Sequence, residues 1–497
     1  MKLLEKIPFF LFLLVLFFCL HGSVENYGYL NVNEVIKVAL IALFCIAVFF
    51  AITWLITKNY LLASLITFFI ATWYLFFGAI HDLIKSSFLQ FMQSYTIMLP
   101  LLLVVNIVVI WWLKKSKLLH KKLAMYLNLV FILFCLADAL LLLQKHLNFK
   151  ESAMPNAVNF NKAAVTQKPN VYFLLFDEYA GYKSLRDSFG FKNDSLYHFL
   201  RLQDFKELPV FANYDFTPFS MSSILNMQYV PENYTNNSLT QPDIQHRFGE
   251  IRNAQVFSIF RSLGYDIENY SIFDIKDRPA LYEYMGLFPV HAGLLTNKVF
   301  HNRLKKNIGW WFVSGRFSIP FLKDYYMKRK DAYNLQVEEK VIRSMSKKSA
   351  TPKFSYGHFF LPHGQFYRDS TGAFNPPEKI LNLEYLADKS LYISYLKYTN
   401  NIIRGLVKHF NDKDPNAIVI IMSDHGFYDY NNPGDYDPYN FDNMCFVRMP
   451  VAMAQTGSMP GSNVNFFRYL FNTGYGQKFP YLKDSTVYVI EDPAILR

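Results

Sequence analysis

The chain has 497 residues, 52% of them hydrophobic and only 18% charged, against about a quarter charged in an average soluble protein. That balance excludes a disordered or fibrous chain, and the length suffices for two or three domains. Residues 1–149 hold 11 of the 50 basic and 5 of the 39 acidic residues, so the first third is nearly charge-free and the remainder has the make-up of a globular domain. Cys19, Cys45 and Cys135 lie in apolar runs, which leaves Cys445 alone in the polar part and excludes a disulfide framework there. The net charge of +11 does not read as a nucleic-acid surface, because much of the surplus flanks the apolar runs.

In chain order, five stretches approach the roughly 20 apolar residues that cross about 30 Å of hydrocarbon: Ile7–Gly22, Val35–Ile56, Tyr60–Ile80, Ile97–Leu113 and Leu123–Leu143. The first, behind Lys2 and Lys6, has the form of a signal peptide when read alone; four further spans favour a retained anchor. Lys2, Lys6, Lys58 and the cluster Lys114, Lys115, Lys117, Lys121 and Lys122 fall on one side, and the short loops of the other hold only Lys85. The positive side faces the cytoplasm, so five spans with the N-terminus inside put everything beyond Leu143 outside. Asp138, inside the fifth span, is a functional candidate or a headgroup-level residue. Residues 1–143 form a membrane domain in this reading, and polar residues 144–169, with Pro155 and Pro169, form a linker.

From 170 onward short apolar strands (Val171–Phe176, Phe354–Leu361, Ala417–Met422) alternate with helical patterns (Leu196–Phe205, Leu386–Phe410). Nearly continuous apolar strands are buried on both faces, which predicts an α/β domain, 170–497, with a mostly parallel sheet flanked by helices. Function in such sheets gathers at the carboxyl ends of strands. The first strand runs into Asp177-Glu178, a later one into Pro362-His363-Gly364, and a third into Ser423-Asp424-His425-Gly426. Carboxylates and histidines at three strand ends suit Zn²⁺ or Mn²⁺ better than the oxygen-preferring Ca²⁺ or Mg²⁺. The plainer alternative makes Asp177 and Asp424 caps of the helices or turns that follow. Between the strands, Thr217-Pro218 fits a helix start with Thr217 as N-cap, placing a hydroxyl where helix amides stabilise a phosphate or sulfate. Next to a divalent cation such a hydroxyl becomes a nucleophile; otherwise it is only a cap, and Ser220, Ser222 and Ser223 are packing or surface residues.

The ordered set resembles the alkaline phosphatase superfamily, in its sulfatase-like branch. Asn170-Val-Tyr-Phe-Leu-Leu-Phe-Asp177-Glu178 resembles the first sulfatase strand, and Thr217-Pro-Phe-Ser220-Met-Ser-Ser-Ile-Leu-Asn-Met resembles the sulfatase signature with Thr217 at the modified cysteine. Ile421-Met-Ser-Asp424-His425-Gly426 is similar to the family's metal motif. A threonine at that position points to lipoteichoic acid synthases and phosphoethanolamine transferases, which also carry five N-terminal spans. The resemblance implies Asp177, Glu178, Thr217, Asp424 and His425 as metal ligands, Thr217 and His363 as catalytic residues, and His358, Ser220 and Arg368 as substrate contacts. It departs from those families in having Asp177 where they usually have Glu, and in lacking a histidine within Phe427–Met444, where Asp429, Asp435 and Asp437 are the substitutes on offer.

The implied activity is transfer of a phospholipid headgroup, phosphoethanolamine or phosphoglycerol, to a glycan or lipid of the envelope, in a bacterial inner membrane with the catalytic domain in the periplasm. The alternatives are a membrane-anchored phosphodiesterase or phosphatase using water, and an inactive envelope scaffold. Lys298–Lys330 carries nine basic residues against the single acid Asp324, interleaved with aromatics. That mix suits an anionic membrane surface or the solvated face of an ordinary insertion; an extracytoplasmic location argues against nucleic acid.

Overall fold

The computed structural model describes residues 4–148, 158–231, 241–281, 292–309, 311–314, 319–347, 349–427, 438–453 and 457–489. The chain divides into two compact units: Met1–Glu151 with Tyr284–Trp310, and Ser152–Glu283 with Trp311–Arg497.

The first unit is helical. Its helices are Phe10–Glu25, Val32–Thr57, Tyr60–Leu75, Phe77–Lys85, Tyr95–Lys115 and His120–Asn148. Asn31 and Asn59 cap the second and third, their side chains accepting from Asn33 N–H and Leu62 N–H at 3.0 Å each. Three helices are long and apolar enough to cross a membrane, four if Tyr60–Leu75 and Phe77–Lys85, bent by 57°, make one span. Phe10–Glu25 is apolar but has only 16 residues. Length and composition therefore give a set of N-terminal apolar helices, without establishing the number five. Leu40, Phe44, Leu55 and Ile56 stand exposed along Val32–Thr57, as lipid-facing side chains do. Within the bundle Asp138 is buried, its carboxylate 3.3 Å from His21 Nδ1. The last helix continues to Asn148, so the first residues of the expected linker are helical.

Sequence reasoning did not separate 284–310 from the catalytic domain. The helices Ala292–Thr296 and Phe300–Ile308 pack with the first unit, Leu295 and Val299 joining a core that includes Leu14, Phe18, Val38 and Phe131. The basic run Lys298–Lys330 is accordingly split: its first part is in this unit and the helix Pro320–Ser346 is in the other. Arg316 lies outside the described residues, as do Asp429, Asp435 and Asp437.

The second unit is built on a six-stranded sheet: β1 Val171–Phe176, β2 Lys206–Glu207, β3 Asp266–Tyr270, β4 Lys353–Phe359, β5 Ile418–Met422 and β6 Cys445–Arg448, in the order β2-β6-β5-β1-β4-β3. The pairs β5–β1, β1–β4 and β4–β3 are parallel, and β6 runs antiparallel to β5 and β2. The sheet is thus mostly parallel, as its apolar strands predict, and β1, β4 and β5 are buried along their whole length. β1 lies between β4 and β5, in register Phe176 to Phe359 and Leu175 to Met422. Three parallel neighbours must open their carboxyl ends on one edge, and the central strand marks the point where the winding reverses.

Candidate active site

The three strand ends meet. Asp177 follows β1 and Asp424-His425 follow β5; with one ligand atom from each, the three fall within 4.8 Å of one another, all buried. His425 Nδ1–H donates to the Gly426 carbonyl at 2.8 Å. That leaves Nε2 facing inward, 3.4 Å from Asp424 Oδ2 and 3.9 Å from Asp177 Oδ1. The backbone must turn tightly to allow this. A Cβ at Gly426 would lie 2.3 Å from the Tyr439 carbonyl oxygen, so no other residue fits, and Glu178 adopts φ 61°, a conformation that costs a non-glycine residue energy.

Thr217 arrives from elsewhere in the chain. The helix Thr217–Asn226 starts one residue earlier than a cap at Thr217 would place it: Phe216 flanks the helix, and Pro218 sits in its first turn. The Thr217 side chain is thereby free of capping. Its hydroxyl lies 3.2 Å from His425 Nε2, at the positive end of the helix. Ser220, one turn on, is buried and donates to the Asp424 carbonyl at 2.6 Å, and Ser222 donates to Glu250 at 2.5 Å. These serines fix the helix that carries Thr217 to the β5 end and to the neighbouring helix.

The remaining expected residues divide. His363, after β4, keeps about a quarter of its side chain exposed and sets Nε2 4.0 Å from Glu178 Oε2. Glu178 thus pairs with His363, and the tight group of Asp177, Asp424 and His425 does not include it. His358 is fully buried inside β4: its Nε2–H donates to Asp177 Oδ2 at 3.0 Å, while Nδ1 accepts from Tyr356 at 3.1 Å. It faces a carboxylate from behind, with no surface to offer a substrate. Arg368 makes a two-pronged pair with Asp331 at 2.6 and 2.7 Å, and its third nitrogen donates to the Gly372 carbonyl, so its guanidinium is committed to the fold. Sequence reasoning missed three supports. Ser423 Oγ accepts from Tyr179 N–H and donates to the His425 carbonyl, Asn443 donates to the Ser423 carbonyl, and Asp215 is buried two residues before Thr217. Only Ser423, inside the motif, had a signal.

Electrostatics set the site apart. Burial pushes Asp177 toward protonation, but His363, His358 and His425 outweigh it and hold the carboxyl well below its ordinary value. Asp424 is raised, by burial first and then by the neighbouring Asp177 charge. His425 would be lowered by burial, yet Asp424, Asp177 and Glu178 lift it to about 9. Asp177 Oδ1 and Asp424 Oδ2 are buried without a hydrogen-bond partner among the described residues. Two unsatisfied carboxylate oxygens beside an inward-facing imidazole nitrogen are a donor set that suits a divalent cation. The residues fit such an ion. Neither carboxylate caps a helix.

Residues 280–470 match the sulfatase family model. No curated protein matches the chain. Solved structures similar to it include the zinc complex of the C-terminal periplasmic domain of EcEptC from Escherichia coli, at 12% identity and TM-score 0.40, over 65% of this chain and 87% of that one. The corresponding domain of phosphoethanolamine transferase EptC from Campylobacter jejuni is similar at 12% identity and TM-score 0.36, over 63% and 91%. The putative sulfatase yidJ from Bacteroides fragilis is similar at 11% and 0.39, over 65% and 77%.

Proposed function

We propose that this chain, residues 280–470 of which match the sulfatase family model, is a sulfatase-like enzyme of the alkaline phosphatase superfamily and a membrane phosphotransferase that moves a phospholipid headgroup of the phosphoethanolamine or phosphoglycerol type to an envelope glycan or lipid. One observation carries the reading: a threonine hydroxyl, 3.2 Å from His425 Nε2 at a helix N-terminus, stands where sulfatases need a modifiable cysteine or serine. Formylglycine chemistry is unavailable to threonine, whereas attack on phosphorus is open to it.

Thr217 Oγ attacks the headgroup phosphorus, and the bond from phosphorus to the diacylglycerol oxygen breaks. The leaving oxygen takes up the proton that Thr217 gives up, with the partly exposed His363 as its proposed carrier. Pro218 has no N–H and the Phe219 and Ser220 N–H groups donate to the Phe216 carbonyl, so the helix start offers an equatorial oxygen the Thr217 N–H and the positive end of the dipole. An acceptor hydroxyl then attacks phospho-Thr217, passing its proton back through His363 and freeing the threonine. Asp177, Asp424, His425 and Thr217 would hold a divalent cation, Zn²⁺ or Mn²⁺, which when bound supplies Lewis-acid charge that eases loss of the threonine proton. His358 positions Asp177 through its 3.0 Å hydrogen bond. The proposed topology takes Phe10–Glu25 and the bent pair as spans, five in all with the N-terminus inside, and this chemistry as periplasmic.

The test is peptide mass spectrometry of Thr217 after incubation of the purified protein with membrane lipids and metal. A covalent adduct supports the transferase, and its mass names the group moved. Phosphate release with no adduct, in either the wild type or an acceptor-starved reaction, assigns the site to a hydrolase. Neither adduct nor bound metal assigns the chain to an inactive scaffold.

A further inference from the structure

Within the first unit, the 292–308 excursion is tied to the bend between Tyr60–Leu75 and Phe77–Lys85. The Gly78 N–H, left without an intrahelical partner at a helix start, donates to the Lys298 carbonyl at 2.6 Å. A Cβ on Gly78 would lie 2.6 Å from Lys298 Cα, so glycine permits the approach. Phe300 packs edge-on against Phe77 and Trp73 at 4.8 and 5.4 Å, Tyr74 OH meets His301 Nδ1 at 2.7 Å, and Asn307 donates to Tyr95 OH at 2.7 Å.

Those contacts bring positive charges together. Asp82 on the helix Phe77–Lys85 pairs with Arg303 on the helix Phe300–Ile308, which joins the two helices, and Lys85 and Lys306 each lie three residues further along them. Lys306 reaches solvent, yet the protein around it and the charges of Arg303 and Lys85 lower its pKa. Arg303 Nε is buried without a partner among the described residues. So is Nδ1 of His81, a residue only 6% exposed whose Nε2–H donates to the Gln93 carbonyl. Leu83 on the helix Phe77–Lys85 is 69% exposed, and Phe88 and Phe91, just beyond its end, are 88% and 67% exposed. Arg303 Nε is a donor left over from the Asp82 pair, and Lys85 and Lys306 form no ion pair among the described residues; that surplus positive charge asks for an anion, and adjacent exposed apolar side chains ask for hydrocarbon.

We propose that Lys85, Arg303 and Lys306 bind the phosphate of a resident membrane phospholipid whose acyl chains lie over Leu83, Phe88 and Phe91. A lipid answers both features, and a free phosphate answers only the first. The proposal rests on the membrane-embedded reading of the apolar helices and is independent of Thr217 chemistry. A lipid held here fixes the 292–308 excursion at the bilayer surface.

The test uses the full chain in detergent and native mass spectrometry during titration with dioleoyl phosphatidylglycerol. The wild type should retain one lipid per chain. A Lys85→Ala/Lys306→Ala variant should bind about 30-fold more weakly, at the energy expected for two lysines facing anionic headgroups, whereas Lys85→Arg/Lys306→Arg should bind as the wild type does. Both lysines are exposed, and a circular-dichroism melt verifies that the variants fold. Equal binding of dioleoylglycerol, equal loss in a Lys114→Ala/Lys115→Ala control, or full displacement by inorganic phosphate would each overturn the proposal. The last outcome would leave a small-anion site in place of a lipid site.

Discussion

His358 offers the sharpest test of the site's construction. Its imidazole is fully buried, donates to Asp177 Oδ2 at 3.0 Å and accepts from Tyr356 at 3.1 Å. Replacing it by alanine removes a hydrogen bond to a charged acceptor, worth about 1.5–3 kcal/mol, or roughly a 10- to 150-fold change in any equilibrium that needs the carboxylate ionised and correctly turned. Partners of metal-binding side chains typically cost about 10- to 100-fold in metal affinity when lost. We therefore expect His358→Ala to weaken divalent-metal binding about 10- to 100-fold in chelator competition at 15 °C. The sign with pH follows from Asp177: burial raises it and three histidines pull it below its ordinary value. Removing one of them moves it up, so the pH below which metal is lost should rise in the variant. The cavity among Phe273, Tyr356 and Phe360 will also lower the melting temperature, so stability alone is not diagnostic. His358→Gln, which keeps an N–H donor, should recover part of the affinity. Unchanged affinity and an unchanged pH midpoint, beside a lowered melting temperature, would reduce His358 to a packing residue.

Thr217→Ala should abolish turnover and any covalent adduct by orders of magnitude while leaving the melting temperature within a few degrees; residual turnover near the wild-type rate would refute the nucleophile. Asp388 caps the helix Lys389–Lys413, accepting from Ser390 N–H and Leu391 N–H at 2.8 and 3.0 Å, and Asp388→Ala should cost about 1 kcal/mol in urea unfolding. Burial raises Asp388, but the Ser390 and Leu391 hydrogen bonds prevail and its pKa is lowered, so the contribution is present above about pH 4 and fades as pH falls through the folded value. Gly78→Ala drives a methyl into the Lys298 backbone and should destabilise the 292–308 docking by about 1–3 kcal/mol. Limited proteolysis within that segment, faster in the variant, is the readout.

What was legible in the sequence followed physical periodicity. β1 is found at Val171–Phe176 as read, and β4 and β5 differ from Phe354–Leu361 and Ala417–Met422 by one or two residues, because continuous apolar runs leave little choice of buried strand. The convergence of Asp177 with Asp424-His425 was legible for a related reason: adjacent parallel strands share an edge. Backbone conformation was not. Thr217 reads as an N-cap, yet Phe216 flanks the helix, and that one-residue shift turns its hydroxyl from the helix to His425. Glu178 follows Asp177 in sequence, but its positive φ sends its carboxylate toward His363.

The split of the basic run shows a second limit. Its composition suggests one membrane-facing surface, yet residues before Trp311 belong to one unit and residues after Trp310 to the other. Nothing in the local pattern marks that boundary. The docking of 292–308 depends on Gly78, more than 200 residues earlier, and on a hydrogen bond between two backbones, to which side-chain periodicity is blind. The catalytic strands were readable because their burial is repeated residue after residue. The excursion was not, because it is specified by one glycine, one bend and a few aromatic contacts. An excursion of this kind adds helices to the first unit while the β4–β1–β5 order of the second stays unbroken.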